Sequence, residues 1–65
     1  MVLIDKQVLD ANTLASYLFS PRLAQRLHAI CGYSSPLPEG VHMYYFLTQD
    51  KQQMIVEFYR TNGEG

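Results

Sequence analysis

The chain has 65 residues, 48% hydrophobic and 17% charged, with five Lys and Arg against six Asp and Glu for a net charge of −1. That length holds one small domain, and the charge balance supplies none of the basic excess that nucleic-acid binding draws on. No apolar run approaches the roughly 20 residues of a membrane span, and Met1–Lys6 lacks the basic start of a secretory signal.

Cys31 is the single cysteine. It can form neither an internal disulfide nor a Cys-rich metal framework, which points to a reducing, cytoplasmic setting. Five Tyr and three Phe give the chain enough apolar area to collapse. A domain of about 60 residues still leaves about 40% of its unfolded surface in water. With so few charges, part of that surface has to be apolar.

Residues 1–60 are expected to form the domain, with 61–65 as a disordered tail. Met1–Asp5 contains the β-branched Val2 and Ile4 and reads as a short edge strand or a packed tail. Asp10 or Thr13 is an N-cap candidate for a helix through Phe19, with Leu14 and Leu18 at i, i+4. Ser20-Pro21 reads as a break and a second helix start. The second helix is expected from Pro21 to about Cys31, with Leu23, Leu27 and Ile30 as its core stripe and Gly32 at C′. The Gly32–Gly40 stretch holds two Pro and two Ser and reads as an ordered connection.

Residues 41–48 and 53–60 are rich in β-branched and aromatic residues and predict an antiparallel hairpin. A four-residue loop, Gln49–Gln52, puts Leu47 opposite Met54, Phe46 opposite Ile55 and Tyr45 opposite Val56. One face then carries Val41, Met43, Tyr45, Leu47, Met54, Val56 and Phe58, and is the expected core. The other carries His42, Tyr44, Phe46, Ile55, Glu57 and Tyr59. A two-layer domain needs Thr, Lys and Glu on its second face, whereas four of these six are aromatic or aliphatic.

The fold class expected is therefore α+β, with an N-terminal helical hairpin or broken helix on a C-terminal β-hairpin, extended by a short N-terminal strand or a second copy. The six-residue face reads as a protein-binding surface or homodimer interface. In that reading His42 and Glu57 orient the partner and confer pH sensitivity near the His pKa of about 6.5. Burial of this face within the chain, by Met1–Asp5 or by the Pro-containing connection, is the competing reading.

Other chemistries leave weaker signals. Arg22, Gln25 and Arg26, with His28, would face DNA if residues 13–27 formed a helix-turn-helix with the β-hairpin as a wing. His28 and Cys31 at i, i+3 with His42 are too scattered for a metal pattern. Cys31 with His28 or His42, or Arg22 with His28, forms no recognisable nucleophile–base or nuclease motif. No cofactor is implied, and the small size works against a deep pocket beside a core. A small non-enzymatic inhibitor, adaptor or assembly factor of bacterial or phage type is the function expected. A winged-helix DNA-binding regulator comes second and a small RNase-like toxin third.

Overall fold

The computed structural model describes residues 1–62 and has an α+β architecture. Strand β1 (Val2–Asp10) leads into a short 3-10 helix (Ala11–Leu14), helix α1 (Leu23–Ile30), and strands β2 (Val41–Leu47) and β3 (Gln53–Arg60). The sheet is antiparallel with order β1-β3-β2. Among the described residues no helix is long and apolar enough to cross a membrane.

The β-hairpin takes the register expected from its loop. Leu47 faces Met54, Phe46 faces Ile55 and Tyr45 faces Val56. Thr48 N–H donates to the Gln53 carbonyl at 2.9 Å, and Lys51 adopts a positive φ of 61° in the loop. Asp50 organises that loop. Its Oδ1 accepts from the Thr48 hydroxyl at 2.6 Å and from Gln52 N–H at 3.0 Å. These two bonds, the Thr48 one first, hold its carboxyl below the usual range.

The N-terminal segment departs from expectation. It is a full-length strand that pairs with β3 from Val2↔Arg60 to Asp10↔Gln53. A register shift between Leu3 and Asp5 places Ile4 in a bulge. That extra residue turns Asp5 and Gln7 toward the helix side. Gln7 Nε2 donates to Asp5 Oδ2 at 3.1 Å and to the Cys31 carbonyl at 3.2 Å. Tyr33 Oη–H donates to Asp5 Oδ2 at 3.3 Å. The polar inward residues of β1 thus satisfy one another and an orphan carbonyl at the end of α1.

The expected first helix does not form, so there is no helical hairpin. Asp10 is an N-cap, accepting from Asn12 N–H at 2.9 Å, but it caps only a 3-10 helix. Beyond that helix Tyr17 N–H bonds to Leu14 O, Ser20 N–H to Tyr17 O and Leu23 N–H to Ser20 O. Each is an i→i+3 closure, which keeps residues three apart on one side. Ala11, Leu14 and Leu23 are buried on that side, with Tyr17 and Ser20 half-buried between them. Pro21 lies inside this run and cannot donate to extend it.

Helix α1 starts two residues later than expected. Ser20 Oγ accepts from Arg22 N–H at 3.0 Å, while Arg22 itself occupies the N-cap without a side-chain bond. Leu23 and Leu27 are buried, but Ile30 is exposed and leaves the predicted stripe. The C-terminus is a Schellman motif: Gly32 N–H bonds to Ala29 O at 3.1 Å and Tyr33 N–H to His28 O at 2.7 Å. Gly32 has φ 86°, which a side chain would strain. The turn aims Tyr33 back at the sheet, where its ring stacks on Phe58 with centroids 3.9 Å apart.

The core is Leu14, Leu23 and Leu27 against Met54, Val56 and Phe58. Tyr33 and Leu37 from the connection and Val41 and Met43 from β2 close its rim. Tyr45 and Leu47, expected in this core, are exposed. The missing first helix is the material that would have covered them. At the other end, Thr61 N–H bonds to Gly40 O at 2.9 Å, so the ladder runs one residue past the expected boundary. Residues 63–65 of the expected tail lie outside the described residues.

Leu27 is fully buried at the centre of the core. Leu27→Ala removes about 2–5 kcal/mol, against the roughly 3–5 kcal/mol that a core of this size supplies. Urea denaturation should therefore find the variant largely unfolded in buffer. A wild-type-like midpoint would show that the domain does not depend on this contact.

Candidate protein-docking face

Helix α1, the 3-10 segment and the Gly32–Gly40 connection all pack on one side of the sheet. Neither route for burying the other side within the chain is taken. The N-terminal residues sit in β1, and the connection contributes Tyr33 and Leu37 to the core instead. Tyr44 and Phe46 are each 49% exposed, a large fraction for aromatic rings in a sheet.

Pairing arranges this face in three cross-strand rows. Phe46, Ile55 and Val8 form an apolar row. Tyr44, Glu57 and Lys6 form a row with both charge signs, and His42, Tyr59 and Leu3 form the third. All six residues expected on this face, His42, Tyr44, Phe46, Ile55, Glu57 and Tyr59, are therefore on it. Leu3, Lys6 and Val8 join them, and sequence reasoning missed all three. Alternation in β1 carried the signal, but the bulge at Ile4 breaks the phase that would have revealed it.

Two contacts fix the rings. Tyr44 and Tyr59 meet edge-to-face at 5.6 Å and 77°. Tyr59 Oη–H donates to Glu57 Oε1 at 2.9 Å. That bond, with smaller contributions from burial and nearby charge, pushes the Tyr59 phenol up from its ordinary value. The two residues expected to orient a partner, His42 and Glu57, have separate hydrogen-bond partners within the chain. His42 Nε2 lies 2.9 Å from Thr61 Oγ1, and Glu57 is held by Tyr59.

The residues of the other readings are spread out. Arg22 at the N-cap of α1 and Gln25 and Arg26 on it are exposed, and the Arg26 guanidinium sits 5.3 Å from the Tyr17 ring centre. No α-helix precedes α1 among the described residues, so the first half of a helix-turn-helix is absent. His28, Cys31 and His42 do not converge, and no group of three His, Cys, Asp or Glu suited to a metal exists among the described residues. Burial pushes the Cys31 thiol up, with the Asp5 charge adding to it, which opposes thiolate formation. His28 Nδ1 is buried with no hydrogen-bond partner.

The chain matches no protein-family model, no curated protein and no solved structure.

The Tyr59–Glu57 bond has a measurable pH signature. A raised phenol pKa adds stability that is fully present below the ordinary tyrosine value of about 10 and is lost as pH rises through the folded value. Glu57→Gln should move the Tyr59 ring titration, followed by NMR, down toward about 10. An unchanged titration would mean that Glu57 does not hold the phenol.

Proposed function

We propose that the chain is a small non-enzymatic protein-interaction module. It docks on a protein surface through the outer sheet face and acts as an inhibitor, adaptor or assembly factor. The observation that carries this reading is the three-row face itself. It presents Tyr44, Phe46, Tyr59, Ile55, Val8 and Leu3 around Lys6 and Glu57, which face each other across the strands, and no described segment packs over it. Aromatic anchors beside a few orienting charges are the usual composition of a protein-binding hot spot. The sheet supplies rigidity, so little ordering entropy is lost on docking.

No observation favours the DNA-binding or nuclease alternatives. Arg26 rests against Tyr17, and the two histidines and Cys31 stay apart.

The test pairs two measurements. Tyr44→Ser with Phe46→Ser should leave the circular dichroism and the urea midpoint close to wild type, because both rings are half in water. A photo-crosslinking residue at Phe46 should yield a discrete protein adduct in cells, and the same residue at Gln25 on α1 should not. Collapse of the double variant would show that the face is core. Equal labelling from both positions would show that it is ordinary surface.

A further inference from the structure

The two edges of the sheet are built differently. The open edge of β1 carries the bulge at Ile4 and the charged residues Asp5, Lys6 and Asp10. These are the devices that stop a strand from pairing with a stranger. The edge of β2 has none of them. Val41-His42-Met43-Tyr44-Tyr45-Phe46-Leu47 contains no Lys, Asp, Glu or Pro, and its register with β3 is unbroken.

The open hydrogen-bonding groups of β2 can be assigned. Thr48 N–H bonds to Gln53 O and Thr61 N–H to Gly40 O, so positions 40 and 48 are bonded to the β3 side. Alternation then directs the backbone groups of His42, Tyr44 and Phe46 toward β3. Those of Met43, Tyr45 and Leu47 point out of the sheet. Val41 N–H is taken by the Pro38 carbonyl at 3.1 Å.

Exposed apolar side chains gather along the same edge. Tyr44 through Leu47 are exposed on both faces of the strand, with Tyr45 at 41% and Leu47 at 37%. Phe19, at 99% exposure, overhangs a groove of about 240 Å³ lined also by Leu18, Leu23, Tyr45, Leu47 and Met54. An added strand on β2 would run beside this groove.

We propose that β2 pairs antiparallel with β2 of a second copy, joining two sheets into one of six strands. With Tyr44 on the two-fold axis, Met43 meets Tyr45 and Val41 meets Leu47 of the second copy. The outward-pointing backbone groups of Met43, Tyr45 and Leu47 are then the ones that bond, Val41 N–H staying with Pro38, and each face continues into its counterpart. The segment carries no charge to repel its own copy. Area keeps a self-partner to modest affinity. Tyr45, Leu47 and Phe19 leave about 350 Å² of side chain in water per copy, taking about 200 Å² for a fully exposed one. Covering it twice gives about 700 Å², and the paired backbone of the two edges has to supply the rest of the roughly 1,000 Å² that a specific interface must clear. The pairing does not rest on the docking role of the outer face, which stays open and is doubled.

Light scattering over about 1 μM to 1 mM chain should show the mass rising from monomer to dimer. Tyr45→Pro deletes an edge-facing N–H while sparing the bonds to β3, a placement that edge strands tolerate. It should weaken association tenfold or more. The Tyr44→Ser, Phe46→Ser variant keeps every backbone group and should still dimerise. If Tyr45→Pro fails to fold, hydrogen exchange on the wild type decides instead. The amides of Met43, Tyr45 and Leu47 should become protected as concentration rises. A wild type that stays monomeric throughout, edge amides indifferent to concentration, or a folded Tyr45→Pro that dimerises normally would each overturn the proposal. Loss of the dimer in the serine variant alone would also overturn it, while leaving the docking face intact as a reading.

Discussion

Everything in this fold hangs on β3. Among the described residues it is the only strand with a partner on both sides, and its inward side chains Met54, Val56 and Phe58 form the floor of the core. Period-two alternation forces its other residues, Ile55, Glu57 and Tyr59, onto the opposite face. One strand therefore fixes both what the helix must cover and what stays open. Among the described residues the covering material is one α-helix, the 3-10 segment before it and the connection, and all of it goes to the floor.

The shortage of covering material explains the unevenness of the inner face. Tyr33 stacks on Phe58 at the α1 end, and Leu37, Val41 and Met43 close that side. Toward the hairpin loop the cover thins, because residues 15–22 form turns in place of a helix. Tyr45 and Leu47 are left exposed there although they point to the correct side. Exposed apolar surface therefore lies at one end of β2 and on the outer face, and also along Met1–Ile4 at the start of the chain.

Much of this is legible in the residues. The 41–60 hairpin can be read to the register because a dense β-branched and aromatic pattern leaves one phase that buries Met54, Val56 and Phe58 together. The Schellman end of α1 is signalled by Gly32 for a similarly local reason. The failures have equally local causes. β1 reads too short because a bulge at Ile4 shifts its alternation, and because Asp5 and Gln7 are inward groups whose partners, Tyr33 and the Cys31 carbonyl, lie far along the chain. A first helix is expected in place of 3-10 turns because Leu14 and Leu18 have helical spacing, while the burial that governs the segment runs through Ala11, Leu14, Tyr17 and Leu23. The outer face is legible in two strands, and the residues that β1 adds to its three rows are lost with the reading of β1.

The antiparallel ladder between β1 and β3 joins residues far apart in sequence, Val2 to Arg60. The central strand thus leaves the ribosome after β1, α1 and β2. Until it does, β1 and β2 have no common neighbour, and Leu14, Leu23 and Leu27 have no floor to pack on. Helix α1 can form early from local bonds, but the sheet and the core must arrive together in one late step. During synthesis the uncharged 41–47 segment is therefore exposed on both of its edges, and the hairpin loop ordered by Asp50 is the device that closes one of them soonest.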